Sequence, residues 1–300
     1  LHGIHSSPAW FEHVAAIAKR VRRTTVSIHL RESLEGPFAA IEDSLCHDHP
    51  EVCLTALTME ALDASVPFGS EEVLAAFEVI ENTPASGHRI AAVGGLTEPS
   101  GIRRMESGAA DVQGSVLAFR TRTIPNRLNY LDRRAAELFL QTVPQHLATH
   151  AKRVLGRAVT GLFIDGIGLR LTPGALPWDA EIETLFKETR GYSLIEVLPT
   201  LFYNLPGFER VRYDYWTIIN DMLREGLATP VKEWCQEHKL RFGVSLRPLD
   251  RRDPALLENA LLPVERMSDD FVLRIPYDVA QRGFENPAAF AQLVGAGIDQ

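Results

Sequence analysis

Strands alternating with helices predict an α/β fold for this 300-residue chain, either a barrel or a doubly wound sheet, with a small antiparallel β subdomain set into it. Two observations carry the prediction. Short apolar, β-branched runs at 24–30, 159–165, 240–246 and 271–275 are separated by segments of helical periodicity. Between 66 and 124 that periodicity stops, and strand-like runs follow one another with only turn residues between them. No G-x-G-x-x-G or G-x-x-x-x-G-K-S/T follows a strand, which weighs against a nucleotide-binding sheet.

Ser7 is placed to cap a first helix with Pro8 at its opening position, and Phe11, Val14, Ala15, Ile17 and Ala18 then recur at helical spacing. The run Thr24 to Leu30 is the first strand, and a helix-then-strand order implies another strand before Leu1. In the β subdomain the strands are Ala75–Ile80, Arg89–Val93 and Ser115–Arg122, with Asn82–Pro84, Ser86–Gly87 and Glu98–Gly101 as turns. Asp132 caps a helix reaching about Gly156, kinked at Pro144, with Ala135, Leu138, Phe139, Val143, Leu147 and Val154 on one stripe. Val159 to Asp165 is apolar and ends in a carboxylate before Gly166, the pattern of a buried parallel strand delivering a polar residue at its end. A helix near Ala180–Thr189 and a longer one from about Val211 to His238 lead to the strands Leu240–Leu246 and Phe271–Ile275. The domain boundaries expected are 1–65 for a first barrel segment, 66–124 for the insert and 125–300 for the main segment.

With 45% hydrophobic and 23% charged residues the composition is that of a folded globular chain with enough length for a sizeable core. The net charge of -8 removes the basic footprint that duplex DNA or an anionic membrane surface would need. No apolar run is long enough to span a bilayer as a helix. The three cysteines, Cys46, Cys53 and Cys235, lack C-x-x-C spacing and read as idle thiols. The chain opens with Leu1 and carries no leader pattern, so it is expected to be a piece of a longer protein, and its compartment stays open.

Three stretches between Tyr130 and Ser245 resemble a known family. They are Gly161 to Ile167; Leu176-Pro177-Trp178 with Leu185-Phe186, Arg190 to Leu194 and Leu198 to Phe202; and Val211 to Trp216 with Val231 to His238. In order and spacing they are similar to bacterial glycoside hydrolase-like proteins related to the family 106 α-L-rhamnosidases. Trp10-Phe11, Val26 to Leu30 and His49 to Val52 also fit family positions. The resemblance implies a TIM-type (β/α)8 barrel, present here in part, with its active site at the C-terminal ends of the strands, and it implies carbohydrate as partner. The catalytic motifs are degenerate. Where the family continues Asp-Glu-Pro, Asp165 is followed by Gly166 and Ile167. Leu30 and Arg31 replace an acidic cluster, with Glu32 beside them; Val244-Ser245 replace Gly-His, with Asp250 farther on.

Glycoside hydrolysis needs two carboxyls, about 5–5.5 Å apart for retention or about 6.5–9.5 Å for inversion. The strand-end acids that qualify as catalytic candidates are Asp165, Asp250 and Glu32, with an ion pair to Arg170 as the structural alternative for Asp165. Trp178, in a loop after a strand, Tyr213 and Asp214 are the substrate-contact candidates, because an aromatic face stacks on a sugar ring. Packing is the competing role for Tyr213, as for its neighbours Tyr215 and Trp216, and Trp234 reads as core. His146 and His150 have metal-ligand spacing but lack the H-E-x-x-H pattern, and His47-Asp48-His49 before Pro50 reads as a polar turn. No metal ligand set and no cofactor is evident, although a divalent cation such as calcium is compatible with the reading. Two functions follow: a hydrolase of α-linked deoxysugars with reduced or lost activity, or a non-catalytic carbohydrate-binding or scaffold protein on the same barrel.

Overall fold

Alternation of apolar strands with amphipathic helices is borne out in a mixed α/β fold with two sheets, seen in a computed structural model. The structure describes residues 8–21, 28–33, 37–62, 73–83, 98–105, 115–167, 171, 174–246 and 270–273. In chain order the elements begin with helix α1 (Pro8–Val21), strand β1 (Ile28–Ser33) and helix α2 (Pro37–Asp48). The strands β2 (Cys53–Leu62), β3 (Val73–Thr83), β4 (Glu98–Arg104) and β5 (Val116–Leu128) follow. Then come α3 (Arg133–Leu140), α4 (Val143–Ala151), β6 (Val159–Ile167), β7 (Leu176–Trp178), α5 (Ile182–Arg190), α6 (Pro199–Phe202) and α7 (Phe208–Leu223). The chain continues through α8 (Thr229–Glu237), β8 (Arg241–Leu246) and β9 (Asp270–Leu273). Chain contacts divide it into two units: Leu1–Cys53 with Pro125–Arg170 and Asn220–Gln300, and Leu54–Ile124 with Leu171–Ile219.

The first unit holds a four-stranded sheet in the order β1-β6-β8-β9, and every neighbouring pair is parallel. The strands expected to end at Leu30, Asp165 and Leu246 are therefore parallel neighbours. β1 and β6 each run beyond the expected end, to Ser33 and Ile167. Among the described residues this sheet is open, and no closed barrel is formed.

The single kinked helix expected from Asp132 to Gly156 is two helices. Asp132 caps α3 as predicted, its Oδ1 accepting from the Arg134 N–H at 2.9 Å. The chain then breaks at Gln141–Thr142 and restarts, with Pro144 in the first turn of α4. Proline has no N–H for the carbonyl four residues back and its ring collides there, so a fresh first turn costs less than a continuous helix. The long helix expected over 211–238 is one helical run from Phe208 to Glu237 whose middle, Arg224–Ala228, widens to a π turn. Thr229 N–H bonds the carbonyl of Arg224, five residues back, just before Pro230 removes a donor from the ladder. Gly226 lies on that turn because the backbone of Tyr130 and Leu131 runs against it; a Cβ there would stand 2.8 Å from the Leu131 carbonyl carbon. Val231, Cys235, Phe139, Leu147 and Phe242 complete the buried apolar side of this unit.

The second unit holds a five-stranded sheet in the order β4-β3-β5-β2-β7, antiparallel at β3–β4, β3–β5 and β2–β7. Consecutive strands without helices between 66 and 124 predicted the antiparallel part of this sheet in which β3 and β5 lie as expected; β2 and β7, from outside that interval, were not expected in it. The run Arg89–Val93 lies outside the described residues. Glu98–Gly101, expected as a turn, is instead the start of β4. Pro99 and Gly101 fit there because β4 is an edge strand and its register with β3 slips twice. Phe119 anchors the core, 5.6 Å edge-on from Phe77 and 5.5 Å from Phe202. Gly191 ends α5 in the left-handed region at φ 78, where a side chain would be strained.

Candidate functional site

The register of the parallel sheet puts one acid into a row of otherwise neutral positions. Ser33 is level with Asp165, Asp165 with Ser245, and Ser245 with Val272. Adjacent strands lie about 4.7–4.9 Å apart, so the backbone neighbours of Asp165 across both strands are serines. Glu32 is level with Ile164, one residue out of step with Asp165. A register irregularity follows Asp165, before Ile167 pairs with Leu246. Asp250, the third acid expected at the rim, lies outside the described residues, as does Arg170, the ion-pair alternative for Asp165.

Trp178, Tyr213 and Asp214 belong to the second unit, and only one of them faces solvent. Trp178, expected in a loop, is the last residue of β7, paired with Thr55 of β2 and 5% exposed. Tyr215 on α7 ties down β7, its hydroxyl donating to the Pro177 carbonyl. Tyr213 is 66% exposed, so the packing role weighed for it falls to Tyr215 and Trp216, which are buried. Asp214 is buried and its oxygens are engaged. Oδ2 accepts from the Tyr192 hydroxyl at 2.8 Å, the Arg190 Nε lies 3.3 Å from Oδ1, and the Arg210 Nε 3.7 Å from Oδ2. The Arg210 guanidinium also sits 5.5 Å from the Tyr192 ring centre, and Phe186 meets that ring edge-on at 5.2 Å. A carboxylate so satisfied ties the end of α5 to α7 and has little acceptor capacity left for a sugar hydroxyl. The sequence signal for this cluster was the i,i+4 spacing of Arg210 and Asp214.

A second buried carboxylate has no counterpart among the residues expected from the sequence. Glu42 on α2, 2% exposed, accepts from the Tyr130 hydroxyl at 2.7 Å and from Arg127 Nη1 at 3.0 Å. Nothing in its local pattern marks it, since both partners lie more than eighty residues away.

Burial raises the phenols of Tyr130, Tyr192 and Tyr215 above the ordinary 10.0; a carboxylate beside Tyr130 (Glu42) and beside Tyr192 (Asp214) adds to it. A folded-state value above the unfolded one gives stability that is complete below pH 10 and fades as pH rises through the folded value. Three of the six tyrosines are therefore expected to stay unionised in the folded protein above pH 10 and to titrate together with unfolding. Absorbance at the phenolate band, followed alongside circular dichroism, checks this. Full phenolate absorbance before any loss of structure would contradict it.

Among the described residues there is no group of three or more His, Cys, Asp or Glu side chains arranged to hold a metal ion. His146 and His150 are exposed on α4 with rings 6.3 Å apart, and His150 Nδ1 is 2.8 Å from the His146 carbonyl oxygen. His47 and Asp48 are exposed, and His49 Nδ1 lies 3.4 Å from Glu51. No described helix is long and apolar enough to cross a membrane.

No family model matches the chain. Over 115 residues, 37% of this chain, it is 28% identical to a protein of Formosa agariphila described as a "Putative beta-glucuronidase". The chain spans 10% of that relative's length. A solved structure of a rhamnosidase from Novosphingobium sp. PP1Y aligns with 55% of this chain and 16% of its own at 19% identity, with a TM-score of 0.35, too low to argue fold. Over that 115-residue stretch the chain has weak, partial homology to a glycoside hydrolase-like protein.

Proposed function

We propose that this chain is part of a glycoside hydrolase-like protein that binds or acts on carbohydrate, with α-L-rhamnosides as its substrate class and hydrolysis reduced or lost. The observation that carries the reading is the row Ser33–Asp165–Ser245–Val272 at the C-terminal end of the parallel sheet, with a single carboxylate in it. Two-acid hydrolysis needs one carboxyl to protonate the leaving oxygen and another to attack or to activate water. Serine hydroxyls do neither at neutral pH without a base beside them. In this reading residues 1–65 and 125–300 are segments of a (β/α)8 barrel and 66–124 an insert. Asp165 is the central acid, and Glu32 and Asp250 are its candidate partners. Of the three sugar-contact candidates, all in the second unit, Tyr213 is favoured on its own account because its ring is exposed. Buried Trp178 and ion-paired Asp214 would reach a sugar only after rearrangement. The weak match to glycoside hydrolase-like proteins supports carbohydrate as the ligand class.

The second reading, a carbohydrate-binding or scaffold protein without catalysis, is favoured by Gly166 and Ile167, which follow Asp165 where the resemblance expects a glutamate. Titration calorimetry of the full-length protein with rhamnose-ended and glucuronate-ended oligosaccharides tests what the two readings share. Saturable heat with the rhamnose-ended series is the expected result. No binding to any sugar offered would overturn the hydrolase reading and the carbohydrate-binding form of the second.

A further inference from the structure

Cys46 and Cys53 stand apart from the third cysteine by their mutual placement. Cys46 lies in the last turn of α2 and Cys53 opens β2, seven residues on. The chain between them is folded tightly back: His49 N–H bonds the Leu45 carbonyl at 2.8 Å, and Val52 N–H bonds the His49 carbonyl at 3.1 Å. That turn brings the Cys53 sulfur to 3.6 Å from the Cys46 carbonyl oxygen, to which its thiol donates. Both are buried and unbridged, and Cys235 is buried on α8.

We propose that Cys46 and Cys53 are a disulfide site, closed when the chain folds in the presence of a small-molecule disulfide such as oxidised glutathione. The exchange runs in two steps. One cysteine thiolate attacks the small disulfide, forming a mixed disulfide and releasing one small thiolate. The other cysteine then attacks the cysteine sulfur of that mixed disulfide and releases the second. The protein pair loses two electrons, the small disulfide gains them, and the two cysteine protons end on the two released thiols. The cross-link would staple the end of α2 to the start of β2, the turn beside the buried Glu42. Once the reduced chain has folded, exchange is slow. Burial, reinforced by the Cys53 thiol, pushes the Cys46 thiol up to about 12, so the attacking thiolate is scarce.

The test is to unfold the reduced full chain, refold it in a buffer of oxidised and reduced glutathione, alkylate it and map the peptides by mass spectrometry. Alkylatable thiols are expected to fall from three to one, with Cys46 and Cys53 in one linked peptide and Cys235 alkylated. The oxidised form should withstand more urea than its reduced twin, and reductant should abolish the difference. Cys46→Ala should leave both remaining cysteines alkylatable. The same mapping on protein isolated without reductant from an oxidising export compartment needs no refolding and should yield the same linked peptide. Three alkylatable thiols in both preparations, or a bridge that includes Cys235, would overturn the assignment.

Discussion

The full-length protein is expected to turn over nitrophenyl α-L-rhamnoside about 10²–10⁴-fold more slowly than a hydrolase with both acids in place, the usual worth of one general acid or base. The expectation rests on the sheet register. Across the strands on either side of Asp165 the level positions are Ser33 and Ser245, and Glu32 is one residue out of step. A carboxyl that acts as general acid must also hold its proton near neutrality, which takes burial or a second carboxylate close by. No such neighbour stands in the row. A nitrophenyl leaving group needs little protonation, so the slowdown in this assay reports the missing nucleophile or base more than the missing acid. Rates are read as kcat/KM over pH. A bell-shaped profile with turnover of ordinary hydrolase size would contradict the expectation, because it requires an acid and a base that both work.

The second large effect concerns stability. Arg127→Ala removes the cation facing a nearly solvent-free carboxylate, 3.0 Å from Glu42 Oε2, and leaves the Tyr130 hydroxyl on the other oxygen. Breaking a buried pair from one side costs about 3–5 kcal/mol. Arg127 is itself a quarter exposed, so water enters more easily and the lower end, about 3 kcal/mol, is the expected loss in urea unfolding. Tyr130→Phe, which removes one hydrogen bond, should cost less, about 1–3 kcal/mol. Glu42→Gln combined with Arg127→Ala should recover part of the loss, since the buried negative charge is gone. If Arg127→Ala unfolds at the wild-type urea concentration, Glu42 is not held by that pair.

The parallel strands were legible because β-branched, apolar runs such as Val159 to Ile164 have few other uses in a globular chain. The helices read well wherever their apolar stripes were long. β2 escaped notice: its sequence, Cys-Leu-Thr-Ala-Leu-Thr-Met-Glu-Ala-Leu, is rich in good helix formers, and its burial does not alternate cleanly. β4 and β7 were hidden behind Pro99 and Pro177, which signal turns in general and are tolerated here because both strands lie at sheet edges. The site was legible only at the level of single residues. Asp165 could be picked out as a strand-end acid, but its serine neighbours depend on pairing between segments far apart in the chain, around Ser33 and around Ser245. Asp214 could be picked out as a polar residue on a helix, but its burial under Tyr192, Arg190 and Arg210 is a tertiary fact.

The central claim, a carbohydrate site whose two-acid machinery is incomplete, is tested most directly by one paired measurement. Rhamnoside binding and nitrophenyl α-L-rhamnoside turnover are compared in the wild-type full-length protein and in Asp165→Asn. The account predicts saturable sugar binding in both proteins, with turnover low in the wild type and changed little by the substitution. Robust wild-type turnover that vanishes in Asp165→Asn while binding persists would contradict it and make Asp165 half of a working catalytic pair.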